Sequence, residues 1–158
     1  LTFKERRGGK VAMPDARTVA ESLVRTWYEK FNARDRAGML ALLTDDVIHD
    51  VNQGAREIGL EACAKFLERM DQSYAEHLSD LVVMADASGT RAAAEFVVHG
   101  KYIATDAGLP MAKGQDYALP AGAFFALREG RIARVTTYYN LPAWVRMVQG
   151  AAASGELG

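Results

Sequence analysis

A single cysteine, Cys63, in a chain of 158 residues excludes an internal disulfide and leaves no cysteine-built zinc site. The histidines are His49, His77 and His99, none in an HExxH-type spacing, so the sequence predicts no metal. Charge of one sign is missing too: a formal net charge of -1 gives no footprint for nucleic acid or for an anionic membrane. No apolar run approaches the about 20 residues of a membrane span. Neither a GxGxxG nor a GxxxxGKS phosphate loop occurs, and no cofactor is expected. Internal repeats and low-complexity segments are absent as well. The opening LTFKERRGGK carries charge with no apolar core behind it, which predicts no export signal and a cytoplasmic protein. What remains is ordinary globular chemistry, with 49% hydrophobic and 25% charged residues, in a length that suits one domain with its own core.

The most informative stretch is Leu119 to Pro142, which reads as two long strands joined by a tight turn. Phe124 and Phe125 point to opposite faces of the first strand. The turn is Arg128 to Arg131, where Gly130 can take the positive φ a short hairpin needs. The second strand then alternates. Ile132, Arg134, Thr136 and Tyr138 share one face; Ala133, Val135, Thr137 and Tyr139 share the other.

Upstream, residues 1–14 are basic and glycine-containing and predict a flexible segment, as do residues 151–158 at the other end, leaving one domain over 15–150. Pro14 and Asp15 open a helix whose stripe is Val19, Leu23, Trp27 and Phe31, widened by Ala20, Val24 and Tyr28. Asp35 caps a short helix over 36–43. VIHDVN, 47–52, alternates as a first strand. A third helix over 60–74 carries Cys63, Phe66, Met70 and Tyr74. Strands over 77–84 and 91–103 follow, then a loop over 106–115, the hairpin, and a short helix over 144–148. Strands gathered late predict an α+β domain rather than a parallel βαβ sheet. Three amphipathic helices on one bent sheet can form a cone with a small-molecule pocket at its mouth. Trp27, Leu40, Phe66 and Val135 are expected in its core.

Tyr28 to Asp35 followed by Leu40 to Asp46 resembles the opening of the NTF2-like superfamily, where a helix pair ends in two aspartates before the first strand. His99 to Pro110, then Gly114, then Phe125 to Ile132 resembles the SnoaL-like polyketide cyclases. AEFVVHG, LPAGAFF and TTYYNLP resemble a group of steroid Δ-isomerase-related proteins. The resemblance implies a conical, mostly antiparallel sheet packed on three helices, and a homodimer. Isomerases, cyclases, dehydratases, epoxide hydrolases and plain binding proteins share this fold, so the reaction must be argued from the site. The family's donor tyrosine on the first helix falls at Trp27, with Tyr28 beside it. Its general base falls at Val51, one residue after Asp50. Its late catalytic aspartate is replaced here by Ala123.

His49, Asp50 and Asn52 form the densest polar group on a strand. His49 could take a proton from a carbon acid while Asp50 or Asn52 orients it or a water. The plainer reading has His49 packed at the pocket wall and Asp50 bonded to backbone. Alternation sends His49 and Val51 one way, Asp50 and Asn52 the other, and the family register aims the His49 side at the pocket. Glu95 and His99 share a strand face and could pair as acid and base, or lie on a solvated face or dimer interface. Trp27, Tyr28, Phe124, Phe125, Tyr138 and Tyr139 read first as core or pocket wall. Tyr102, which matches a cyclase histidine, and Tyr139 could each offer a pocket hydroxyl.

Two functions fit these residues. One is a cofactor-independent isomerase or cyclase that abstracts a proton beside the carbonyl of a small, largely apolar steroid- or polyketide-like compound. Its catalytic candidates are His49, Asp50 and His99, and its ligand-binding candidates are Trp27, Tyr28, Asn52, Tyr102 and Tyr139. The other is a non-catalytic binding protein using the same pocket.

Overall fold

The computed structural model describes residues 12–150; of the flexible segments expected at 1–14 and 151–158, residues 1–11 and all of 151–158 lie outside them. Helix α1 runs Ala16–Asn32 and starts where Asp15 accepts a hydrogen bond from the Thr18 N–H at 2.8 Å. Its buried face is Ala20, Val24, Trp27 and Tyr28, whereas Val19 is exposed. Asp35 caps α2, Arg36–Leu40, by accepting from the Gly38 N–H at 2.8 Å. β1 spans Leu43–Asp50, β2 Arg56–Ile58, α3 Leu60–Ser73, β3 Tyr74–Ala85 and β4 Arg91–Tyr102. β5 spans Gln115–Arg128, β6 Arg131–Tyr139 and α4 Leu141–Gln149.

The six strands form one curved, open sheet in the order β2-β1-β6-β5-β4-β3, and this is the NTF2-like α+β arrangement. Only β1 and β6 run parallel; every other neighbouring pair is antiparallel. The curvature has a visible source in β3. Its register shifts between Ser79 and Val82, where Asp80 takes a φ of 54°, and such a bulge bends a strand and tightens its twist. α1 and α3 fill the concave side, and the main core joins Val24, Trp27, Leu43, Phe96, Phe125 and Ile132.

Several boundaries differ from the sequence expectation, each for a tertiary reason. The short helix ends at Leu40, not at 43, because Leu43 is already paired with Ile132 in the sheet. β2 carries only Arg56, Glu57 and Ile58, too few for alternation to show. β5 begins at Gln115 and contains Pro120. Over 115–120 it pairs with β4 alone, because β6 joins it only from Ala121, so the missing Pro N–H faces a free edge. The β5–β6 turn holds Glu129 at φ 51° and Gly130 at φ 72°, so both central residues are left-handed and the strands keep their twist. Trp27 and Val135 are buried as expected, but Leu40 and Phe66 are only half-buried. The filled face of α3 is Cys63 and Leu67. Phe66 and Met70 are less covered and border an open space whose wall Cys63 and Leu67 also reach.

Candidate active site

That open space is a cavity of about 570 Å³ between the concave sheet face, α1, α2, α3 and α4. Alternation decides what reaches it. In β1 the irregular register lies between Leu43 and Ile48, ahead of the polar group, so regular pairing of His49 with Val135 and of Asp50 with Thr136 follows. His49 therefore points inward, is 9% exposed, and lines the cavity. Its ring meets the edge of Phe66 at 4.3 Å between centroids.

The Nδ1 atom of His49 is sealed without a hydrogen bond, and so is Oε2 of Glu57, 3.7 Å away. Glu57 sits on β2 opposite His49 in the β1–β2 ladder and is bound on its other oxygen by Arg69 at 3.0 Å. Burial pushes the His49 imidazolium pKa down, and the Glu57 carboxylate offsets this only in part. The result is a neutral ring at pH 7 whose Nδ1 edge turns to a carboxylate. Cys63, nearby on α3, has its thiol pushed up to about 11 by burial and then by Glu57, which makes it a packing residue rather than a nucleophile.

Asp50 is on the other side of the strand. Arg56 and Arg134 each donate from Nε to it at 2.6 Å, and Thr136 donates to its backbone carbonyl at 2.9 Å. The Arg56 hydrogen bond, followed by Arg134, holds its carboxyl below the usual carboxylate range. Asp50 does not line the cavity. It clamps the β1–β6 pair, on the side of the strand away from the cavity that His49 lines.

His99 is also displaced from the expected site. It lies on the convex face, stacked on His77 at 5.0 Å, with its Nε2 2.8 Å from the Ser79 hydroxyl. Glu95 is exposed on that same face. Tyr102 is fully buried, but its hydroxyl donates to the Pro110 carbonyl and accepts from the Asp106 N–H, both at 2.8 Å. It is a structural tie for the 106–114 loop, stacked on Tyr74, with no free hydroxyl to offer a ligand.

Trp27, Tyr28, Asn52 and Tyr139 do line the cavity. Tyr28 packs on Phe96 and Phe125, and burial raises its phenol pKa, which keeps it a neutral donor. Among the described residues its hydroxyl has no hydrogen-bond partner. Asn52 donates weakly to the Tyr139 carbonyl at 3.4 Å.

Sequence reasoning missed the ionisable wall residues Arg36, Asp71, Glu76 and Asp106 as site candidates. Glu76 on β3 lines the cavity and accepts a hydrogen bond at Oε1 from the Tyr117 hydroxyl of β5. The two strands are not neighbours; β4 lies between them, and Gly100 is the residue in register with both. A Cβ at 100 would overlap the Tyr117 ring, so the absent side chain is what lets that ring cross β4 to Glu76. The readable signal was the period of β3, where Glu76 falls between Tyr74 and Leu78 on the inward face. Around it, Tyr74 donates to Asp106 at 2.8 Å, Arg36 binds Asp71 at 2.8 Å, and all four line the same cavity. Among the described residues no group of three or more His, Cys, Asp or Glu is arranged to hold a metal ion.

The SnoaL-like domain pattern matches residues 24–135, a span that runs from the second half of α1 into β6 and contains His49 and Glu76. The chain belongs to the SnoaL-like domain family. A candidate polyketide cyclase from Pseudomonas putida is 57% identical, covers 82% of this chain and 97% of its own, and superposes with a TM-score of 0.81. A second candidate polyketide cyclase, from Xanthomonas campestris, is 56% identical over 85% of this chain and 99% of its own, with a TM-score of 0.82. An epoxide hydrolase of the LEH-like type from M. tuberculosis shares 17% identity over 85% of this chain and 92% of its own at a TM-score of 0.67, and that likeness concerns the fold alone. No curated protein matches the chain. No helix among the described residues is long and apolar enough to cross a membrane. The SnoaL-like concave face is thus where this chain holds His49 and Glu76, while Ala123, 1% exposed, fills the strand position where the resemblance implies an aspartate.

Proposed function

We propose that the protein is a cofactor-independent, cytoplasmic acid–base enzyme of the isomerase or cyclase type, acting on a small, largely apolar carbonyl compound of polyketide-like character. The observation that carries this is His49: a buried, neutral imidazole on an apolar cavity wall, with its Nδ1 edge against the sealed Glu57 carboxylate. A neutral histidine in such a place is suited to take a proton from a carbon next to a carbonyl. The electron pair of the broken C–H bond then moves into an enolate. Tyr28, which burial keeps protonated, offers a hydrogen bond to the enolate oxygen. Return of the proton from His49 to another carbon gives an isomer; attack of the enolate on a second carbonyl of the same molecule gives a ring. The high identity to two candidate polyketide cyclases supports this reaction class.

The test follows solvent deuterium uptake at the α-carbon of androstanone, an apolar fused-ring ketone, by NMR. Wild-type protein is expected to accelerate exchange above buffer. A protein that binds the ketone without accelerating exchange would favour the second reading, a binding protein, which Ala123 supports.

The protein is also proposed to be a homodimer paired through the convex sheet face, where Val82, Met84, Phe124 and Tyr138 are each at least half exposed. Light scattering at micromolar concentration is expected to give twice the chain mass; a clean monomer would refute it.

A further inference from the structure

Two of the cavity's polar groups stand apart along α3. One is His49 with Glu57, beside Phe66 in the middle of α3. The other is Glu76 with Tyr117, beside Tyr74 just past the end of α3. Phe66 to Tyr74 is eight residues, or about 12 Å along a helix axis. The lining also includes the apolar side chains Met70, Leu78, Val98 and Ala121.

Glu76 is built into its place rather than scattered on a surface. Gly100 leaves room for the Tyr117 ring, and Tyr117 in turn is held edge-on by Trp144 of α4 at 5.8 Å. The Tyr117 hydroxyl uses only Oε1 of Glu76. Oε2 has no partner among the described residues, yet it is not among the sealed atoms, which are Thr44 Oγ1, His49 Nδ1 and Glu57 Oε2. The surface through which it remains accessible is the cavity that Glu76 lines.

We propose that Glu76 is a second recognition station, donating a hydrogen bond from Oε2 to a carbonyl oxygen at the far end of the ligand, so that the substrate carries a carbonyl group at each end of an apolar body. The inference rests on the acid–base reading only for the end held by His49. Burial raises the Glu76 carboxyl pKa, opposed by the Tyr117 hydrogen bond and by Arg36, while Asp71 adds to the rise. Tyr139 of β6 also faces the pair, its phenol pKa raised chiefly by burial, with Tyr74 alongside. A neutral carboxylic acid can donate where a carboxylate can only accept. Tyr117, pushed upward by burial and by Glu76, stays protonated and acts as the positioning partner.

The experiment compares two rigid ligands: androstanedione, a ketone at each end, and androstanone, which keeps one ketone and lacks the other. Trp27 and Trp144 line the cavity and are the chain's two tryptophans, so quenching of their fluorescence reads binding without requiring turnover. Wild type is expected to favour androstanedione by about tenfold, the worth of one well-placed hydrogen bond. That preference should fade as pH rises and the carboxyl ionises. Glu76→Leu should abolish the preference while androstanone affinity stays within about twofold. Glu76→Gln should keep the preference, since an amide N–H replaces the donor, and should make it independent of pH. A preference that survives in Glu76→Leu, is lost in Glu76→Gln, or is absent from wild type overturns the proposal. Deuterium exchange on androstanone separates the two readings. Exchange without preference removes the Glu76 station alone; preference without exchange removes the acid–base reading alone.

Discussion

His49→Gln is expected to slow α-carbon deuterium exchange by about two to four orders of magnitude, the range general-base catalysis supplies, while leaving the fold intact. Glutamine is close to histidine in size and can still pack against Phe66, 4.3 Å from the ring centre in the native protein. It cannot take the proton. The pH profile adds a second signature. Burial lowers the His49 pKa below its ordinary value near 6.5, so the basic form predominates at pH 7 and activity should be flat there. Activity should fall only as pH drops through the depressed value, because protonation removes the base. Stability moves in the same direction. The folded pKa lies below the unfolded one, so the unfolded state binds protons first and stability declines as pH falls below about 6.5, levelling off under the folded pKa. In His49→Gln both pH effects should disappear together. An unchanged exchange rate in the variant would take His49 out of the mechanism.

Alternation set His49 and Val51 apart from Asp50 and Asn52, and the register implied by the family resemblance aimed the His49 side at the pocket. The same alternation places Asp50 outward, yet the sequence could not show Arg134, 84 residues away, waiting to bind it. His99 was placed on the correct strand, sharing a face with Glu95, but which face was concave depends on the bulge at Asp80, which alternation alone does not mark. Tyr102 was an inward residue by the same rule. Its hydroxyl was consumed by the 106–114 loop, a contact with no local pattern behind it. Glu76 was the reverse case. It fell between the helix read over 60–74 and the strand read over 77–84, so its inward aim went unread, and its meaning needed Gly100 and Tyr117 on two further strands.

Neighbouring phenylalanines in the hairpin should differ most sharply in stability. Phe125→Ala is expected to cost about 3–5 kcal/mol, the range for a fully buried aromatic truncated to a methyl group. Phe125 is 0% exposed, pairs across the sheet with Ala92 and Val135, and meets the Tyr28 ring edge-on at 6.1 Å. Its removal would leave a void between α1 and the sheet that Ala92 and Ala94 are too small to fill. Against a total stability of about 5–15 kcal/mol, the loss would bring the variant near the margin and lower Tm by about 10 °C. Phe124 lies one residue earlier on the opposite face, 50% exposed and packed only edgewise on Tyr138 at 5.8 Å. Phe124→Ala should therefore cost about 0.5 kcal/mol or less in the single chain, as surface substitutions do. If the convex face pairs two copies, that variant should instead weaken association, which would appear as a concentration dependence of Tm. Urea unfolding followed by circular dichroism measures both costs. Equal losses at 124 and 125 would mean that the hairpin does not bury one face and present the other, and the inward aim of Val135 and Tyr139 would fall with it.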